Sequence, residues 1–330
     1  LWEPQSTNLI TYSEDFSQWI ASGGLTIGNS SSVVNPSNSN NVGVITGTTV
    51  TSSKFARIDV ATTLLNHTYS AFFKYNTQQF VQFASGGTSE YANFDIQNGT
   101  VGNKSSGTTA TIDNFGNGWY RCTLSTSVAS TPSNMAAVLI DSLTSLRLSS
   151  TSSTNSLYIW GAMLEQNSYS TSYIPASGST VTRNQDVCDN GGSLASINST
   201  EGTLYFEGSA LADDGTSRYI SINDASTSNF ISITFYNDST IKSRIAIGGI
   251  STFLSSGVVT QTDNFKVALK YKLNDYALWI NGVEVDSNNL LGVFAPNTLT
   301  RLDFRRFVAN DLYGKTKALA VWKEALSDQE

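Results

Sequence analysis

Thr68-Tyr-Ser-Ala-Phe-Phe-Lys-Tyr75 places Tyr69 and Phe73 on one side of an extended chain and Phe72 and Lys74 on the other. Successive side chains of a β-strand point to opposite faces of the sheet, so this alternation predicts a strand with one face in a core. Similar segments recur along the chain, separated by Gly-Gly, Asn-Gly and Ser/Thr clusters that favour turns. The pattern predicts an all-β protein built from antiparallel sandwiches.

The composition agrees with this prediction. Ser 48, Thr 37 and Asn 29 together make up about a third of the 330 residues, and only 14% of the residues are charged. The 36 aromatic residues (Trp 6, Tyr 14, Phe 16) are enough to build large cores, which a disordered acidic tail could not do. Helical proteins are instead rich in Ala, Glu, Lys and Leu.

Net charge and hydropathy argue against a nucleic-acid backbone and a membrane as partners. A net charge of −7 argues against a binder of nucleic-acid backbones, which would carry a basic stripe. No segment approaches the roughly 18 apolar residues of a membrane span. No signal peptide opens the chain at Leu1, so we expect a fragment or a processed product.

Two domains are expected, with boundaries at 1–183 and 184–330, because residues 184–199 are polar and resemble a linker. In the second domain, Asn281-Gly282 between two apolar runs predicts a tight hairpin. Trp279 and Trp322 are assigned to the core of this sandwich. The last eight residues, 323–330, suggest the start of a helix.

Two residue types of chemical interest are scarce. Cys122 is expected in a core, whereas Cys188 lies in a polar stretch, and a bond between them stays open because pairing cannot be deduced from sequence. The single histidine, His67, lies in turn-like sequence and is expected in a surface loop.

Several motifs resemble those of a known class of proteins. Asn8–Trp19, Gly116–Cys122 and Tyr158–Glu165 are similar to the carbohydrate-binding-module-like jelly rolls of bacteriophage tail and head fibres. Tyr276–Val285 and Gly314–Leu326 resemble the concanavalin A-like (laminin G-like) lectin/glucanase sandwich. The resemblance implies two tandem jelly-roll β-sandwiches in a virion-surface, extracellular protein that adheres to glycans.

Catalysis is not expected. Glycoside hydrolysis needs two carboxylates about 5 Å or about 6.5–9.5 Å apart. The Glu-x-Asp-x-x-Glu string of the laminarinase-like members does not occur, and Glu284, beside the hairpin, is interpreted as a solvated carboxylate at a strand edge. We therefore assign no catalytic residue and no required cofactor.

A structural calcium ion is an expectation that comes from the resemblance, because jelly-roll binding modules often carry one near the N-terminal strand. Hard cations bind clustered oxygens, and the candidate ligands are Glu14, Asp15 and Glu165. The alternative is that Glu14 and Asp15 cap a turn.

A ligand groove is predicted in the first domain. If Phe73 and Leu124 face the core, their strand neighbours face outward and could share one concave sheet face. Packing of this face on a neighbouring subunit or domain is the alternative. The predicted groove residues are Phe72, Lys74, Asn93, Asp95, Trp119 and Arg121.

In the second domain, Arg218 and Tyr219, together with Arg305 and Arg306, are weaker candidates for polar recognition, although surface salt bridges also explain the arginines.

The expected function is non-catalytic adhesion to a polysaccharide or cell-surface glycan. A purely structural virion element, contacting other virion proteins, and the binding region of a secreted polysaccharide-degrading enzyme are the alternatives. Fibre proteins are often trimers, but no coiled-coil heptads appear.

Overall fold

The computed structural model describes residues 1–289, 291–306 and 310–328. Strands dominate it, as predicted, and every strand pairing in the described residues is antiparallel. A 3₁₀ turn at Phe16–Gln18 interrupts the strands. The described part of the chain contains no helix with the length and hydropathy of a membrane span.

The chain divides into two compact units, but not as a simple tandem. The first sandwich is Gln5–Asn184, and the second consists of Leu1–Pro4 together with Gln185–Glu330. The expected boundary therefore moves by one residue, and the first four residues belong to the second unit. Trp2 forms a backbone bridge to Gly314, and its indole lies 4.7 Å from the ring of Phe304.

The first sandwich consists of two six-stranded sheets and a small two-stranded sheet. Its strands are β1 (Ser6–Asn8), β2 (Ile20–Ser22), β3 (Thr26–Ser30), β4 (Val42–Thr46), β5 (Lys54–Asp59), β6 (Thr68–Tyr75), β7 (Phe80–Gly86), β8 (Tyr91–Asp95), β9 (Thr100–Lys104), β10 (Thr108–Asn114), β11 (Trp119–Thr126), β12 (Asn134–Leu139), β13 (Ser156–Glu165) and β14 (Val181–Arg183). The sheet orders are β10-β11-β6-β13-β4-β3, β2-β5-β12-β7-β8-β9 and β1-β14.

The core of the first sandwich confirms the predicted alternation. Tyr69 and Phe73 of β6 and Leu124 of β11 are fully buried between the two large sheets. Cys122 lies in the same core, as expected, and both cysteines are free thiols. Burial raises the pKa of the Cys122 thiol, so this side chain acts as a small apolar residue.

The second sandwich contains two five-stranded sheets. Its strands are β15 (Glu201–Ala210), β16 (Arg218–Asn223), β17 (Phe230–Phe235), β18 (Thr240–Ile247), β19 (Ile250–Val258), β20 (Phe265–Lys272), β21 (Tyr276–Ile280), β22 (Val283–Asn288), β23 (Arg301–Asp303) and β24 (Gly314–Trp322). The sheet orders are β22-β21-β20-β15-β24 and β19-β18-β17-β16-β23.

Regular alternation also builds the core of the second sandwich. Leu204 and Phe206 of β15, Leu278 of β21 and Ile231 and Ile233 of β17 face one another between the sheets. Each core residue is flanked along its strand by a residue on the outer face, which is the face turned away from that core. The outer faces are therefore fixed by the same pattern that fixes the core.

A tight turn sets the register of β21 and β22. Asn281 and Gly282 both have positive φ values of 52° and 82°, which a type I′ hairpin turn requires. They join β21 to β22, with Ile280 paired to Val283, as the sequence predicts. The helix expected over residues 323–330 is wrong for the described residues 323–328, and residues 329 and 330 lie outside the described part.

Candidate functional site

The groove predicted in the first sandwich is covered by the chain itself. Phe72 and Trp119 lie on the outer face, as the alternation requires, but both are buried in a second apolar cluster with Trp160. Tyr173 packs on this cluster, and the Trp119 indole Nε1–H donates to the carbonyl of Val34 at 2.8 Å. The prediction that these aromatic rings face outward to a ligand is wrong.

Arg121 and Lys74 also make structural contacts. The Arg121 guanidinium is buried 5.5 Å from the ring centre of Phe72, and it donates to the hydroxyl of Ser70 (2.9 Å) and the carbonyl of Thr171 (2.7 Å). Burial lowers the pKa of Arg121 despite the opposing charges of nearby acids. Lys74 remains half-buried.

Asn93 and Asp95 belong to the other sheet, because β8 pairs with β7 rather than with β6 or β11. The predicted shared face is therefore wrong. Asn93 is buried and donates to the carbonyls of Leu143 (3.0 Å) and Ser145 (2.7 Å). Asp95 accepts hydrogen bonds from the turn that follows it, including the backbone N–H of Asn98 at 2.9 Å.

The three acids considered for calcium are held by separate partners. Asp15 caps the 3₁₀ turn by accepting the Ser17 N–H at 3.1 Å, which is the alternative reading for this residue. Glu14 accepts the hydroxyl of Tyr173 at 2.8 Å. Glu165 is buried and accepts the hydroxyl of Thr171 at 2.5 Å.

These donor sets do not fit a metal ion. In residues 1–289, 291–306 and 310–328, no group of three or more His, Cys, Asp or Glu side chains could hold one. A hard cation needs several oxygens around one point, so the expected convergence of Glu14, Asp15 and Glu165 is wrong.

The single histidine is also misplaced by the sequence. His67 is fully buried rather than in a surface loop, and its backbone N–H donates to the Thr126 hydroxyl at 2.8 Å. Burial lowers the pKa of its imidazole, against smaller opposing effects of Leu65 and Glu90. The buried ring does not reach solvent, where a catalytic base would meet a substrate.

In the second sandwich, Arg218 is a buried ion-pair residue, with Nη2 2.9 Å from Asp214. Arg305 pairs with Asp189. These two arginines are therefore explained by salt bridges. Tyr219 is buried beneath the guanidinium of Arg306, which lies 5.2 Å from its ring centre.

An open groove lies instead on the outer face of the β22-β21-β20-β15-β24 sheet, with a volume of about 410 Å³. Its position follows from strand alternation, because Leu204 and Phe206 face the core and Tyr205 between them faces outward. We call it the aromatic groove. Its principal lining residues are Thr203, Tyr205, Ala268, Lys270, Trp279 and Trp322, with residues 326–328 at one end.

Cross-strand pairing sets the shape of the aromatic groove. Ala268 is paired with Tyr205 on one side and with Trp279 on the other. Neighbouring strands lie about 4.8 Å apart, so these two rings stand roughly 10 Å apart on either side of a methyl group. The Trp322 ring is 38% exposed and lies 6.2 Å from the Tyr205 ring in an edge-on arrangement.

Polar groups stand beside these rings. Lys270 Nζ lies 2.9 Å from Asp328 Oδ1 and 3.0 Å from Asp275 Oδ1. Burial lowers the pKa of Lys270, but these two carboxylates outweigh it and hold the pKa above its usual value. Burial and Glu207 raise the pKa of Tyr205. The groove therefore holds a neutral phenol and a charged ammonium near neutral pH.

Sequence reasoning misses this site, because the sequence-based prediction puts Trp279 and Trp322 in the core, whereas both lie on the outer face. The signal was present in the alternation. In Tyr276–Ile280, Leu278 and Ile280 are core residues, so Trp279 between them must face the other way.

Comparison with known proteins gives weak likenesses. No protein-family model matches the chain, and no curated protein matches it. Among solved structures, the carbohydrate-binding module CBM40 of the Ruminococcus gnavus IT-sialidase is 16% identical, covering 40% of this chain and 80% of its own, with a TM-score of 0.35.

Two further structures are similar at the same level. The SAP-like pentraxin of Limulus polyphemus is 13% identical over 42% of this chain and 70% of its own, with a TM-score of 0.34. Chicken Galectin 2 is 13% identical over 40% of this chain and 96% of its own, with a TM-score of 0.28. Such scores carry no argument about function.

Proposed function

We propose that the protein is a non-catalytic carbohydrate-binding protein and that the aromatic groove is its binding site. The observation that carries the proposal is the arrangement of Tyr205, Trp279 and Trp322 around the small floor residue Ala268. A sugar ring presents apolar C–H faces and a rim of hydroxyls. Aromatic faces match the first, and nearby hydroxyl, ammonium and carboxylate groups match the second.

The charges in the groove support binding rather than catalysis. Asp328 is the one carboxylate among the described lining residues, and it is paired with Lys270. Hydrolysis of a glycosidic bond uses two carboxyl groups that flank the bond. Asp275, the other carboxylate at Lys270, is held in the same ion-pair cluster, so the described lining residues supply no second, unpaired carboxylate.

We also propose that the protein lies on a virion surface, as a fibre or decoration protein. The motif resemblance of Asn8–Trp19 and Tyr158–Glu165 to phage fibre domains supports this placement. Immunogold labelling of phage particles with antibodies against this chain tests it. Absence of label from intact particles, with labelling of the purified protein, would contradict it.

The experiment for the groove compares wild-type protein with Trp322→Ala on a glycan array, followed by calorimetric titration of the best ligand. Removal of a central, partly exposed ring should weaken binding about 30-fold, equivalent to about 2 kcal/mol. Tyr75→Ala, which removes an exposed ring in the first sandwich, is the matched control and should bind normally.

Two results would overturn the proposal. One is that wild-type protein binds no glycan. The other is that Trp322→Ala binds the array ligand as tightly as wild type. If Trp322→Ala instead changes the sedimentation coefficient of the native protein, the groove is a contact between protein subunits, which favours the structural alternative.

A further inference from the structure

The outer face of the β19-β18-β17-β16-β23 sheet carries arginine side chains that lie on aromatic rings. The Arg244 guanidinium is 5.5 Å from the ring centre of Phe230 and 5.4 Å from that of Phe253. The Arg306 guanidinium is 5.2 Å from the ring centre of Tyr219. We call these five residues the arginine patch.

Strand pairing explains why the patch forms. Ile231 and Ile233 of β17 are core residues, so Ser232 between them lies on the outer face. Arg244 of β18 is paired with Ser232 on one side and with Phe253 of β19 on the other. A small residue therefore stands next to the long arginine, and a large ring stands on its other side.

The two patch arginines differ from the other arginines of the second sandwich. Arg218, Arg301 and Arg305 each form an ion pair with an aspartate. Across the described residues, Arg244 and Arg306 have no carboxylate within ion-pair distance. Arg244 donates one hydrogen bond, from Nη2 to the Ser251 hydroxyl at 3.0 Å, and its buried Nε–H has no partner.

The neighbouring cation has a partner of its own. Lys242 lies 4.0 Å from the ring centre of Tyr236, and its ammonium is 2.6 Å from Asp238. Asp238 is therefore paired with Lys242, and it does not neutralise the charge of Arg244 or Arg306. Burial raises the pKa of Tyr219, and the charges of both arginines oppose this rise, so both guanidiniums act on one phenol.

Guanidinium groups held over aromatic rings are preorganised to bind oxyanions. Arginine can donate two parallel N–H groups to two oxygens of a carboxylate or sulfate, and fewer rotamers must be frozen on binding when the side chain already lies against a ring. Phe253 is 43% exposed and offers an apolar surface beside the charges. A sugar bearing an acidic substituent presents both features at once.

We propose that the arginine patch is a second ligand site, which binds the carboxylate or sulfate group of an acidic polysaccharide. The patch lies on a different sheet from the aromatic groove, so either site can be disproved without affecting the other. A nucleic-acid backbone is disfavoured as the ligand, because the chain carries a net charge of −7 and such binding needs many cationic contacts.

The test measures binding of the full chain to polygalacturonate, which carries carboxylates, to dextran sulfate, and to neutral dextran. We expect binding to at least one of the acidic polymers and not to dextran, with affinity falling as salt rises. Arg244→Gln and Arg306→Gln should each weaken that binding at least tenfold. Arg57→Gln, which removes an arginine paired with Asp59 in the first sandwich, is the control and should bind normally.

Groove variants separate the two proposals. Trp322→Ala should leave acidic-polymer binding unchanged while it weakens binding of the array ligand. If Trp322→Ala abolished binding of both the acidic polymer and the array ligand, a single site would account for all binding, and the inference would be overturned. Failure of wild type to bind either acidic polymer would overturn it as well, as would stronger binding to single-stranded DNA.

A measurement on wild-type protein avoids any effect of substitution on folding. Phenylglyoxal modifies accessible guanidinium groups, and mass spectrometry locates the modified residues. The bound acidic polymer should protect Arg244 and Arg306 and leave Arg57 unprotected. Equal modification of all three with and without polymer would contradict the proposal.

Discussion

The two sandwiches expose their outer sheet faces differently, although the same alternation builds both. In the first, Phe72 and Trp119 lie under Tyr173 and the segment around Val34, so aromatic residues on the outer face extend the apolar interior. In the second, Trp279 and Trp322 also lie on an outer face, but they line an open groove. Alternation determines which face a ring is on, whereas the loops determine whether the ring meets water.

The largest effect expected from this difference is on stability. Trp119→Ala should reduce the free energy of unfolding by about 3–5 kcal/mol, because it removes a ring that is 1% exposed and leaves a cavity. Urea unfolding followed by near-ultraviolet circular dichroism measures this loss. Trp322→Ala is the matched variant and should cost less than about 1 kcal/mol. Similar losses in the two variants would mean that the two outer faces do not differ.

A second change would fill the open face. Ala268→Leu adds a larger side chain to the floor of the aromatic groove between Tyr205 and Trp279. We expect the affinity for the array ligand to fall about tenfold, or about 1.4 kcal/mol, with little change in stability. Calorimetric titration beside urea unfolding measures both quantities. Ala318→Leu, on the outer face of β24 and outside the groove lining, is the control.

The smallest effect concerns Asp95, which was predicted to bind ligand and instead holds a turn. Burial alone would raise its pKa, but hydrogen bonds from Asn98, Gln79 and Gln97 outweigh burial and lower it. Its ionised form therefore stabilises the fold above the unfolded-state pKa, and this contribution is lost as pH falls through the lower folded-state pKa.

Asp95→Asn should destabilise the protein by about 1 kcal/mol at pH 7, and the deficit should shrink as pH falls below about 4. Unfolding curves at several pH values test this. Asp59→Asn, at a largely exposed carboxylate, should show almost no deficit. A deficit that grows on acidification would contradict the assigned role of Asp95.

Local pattern was sufficient for the strands, the hairpin at Asn281-Gly282 and the burial of Cys122. It was insufficient for the predicted groove, because Asn93 and Phe72 lie in different sheets, and sheet membership depends on pairings distant in sequence. His67 shows the same limit, since nothing in its turn-like neighbours reveals that the chain later encloses it. Trp279 is a different case, because its position was readable from Leu278 and Ile280.

The assignment of Leu1–Pro4 to the second sandwich has a consequence for the order in which the chain folds. Trp2 needs Gly314 as its backbone partner, so this contact must wait until more than three hundred residues have been synthesised. The first sandwich can close much earlier, when β14 reaches β1 and Ser6 pairs with Arg183. The first sandwich is therefore inserted in the sequence of the second, and its two ends lie side by side in β1 and β14. Neighbouring ends allow a whole domain to be excised, or to be moved into a loop of another protein.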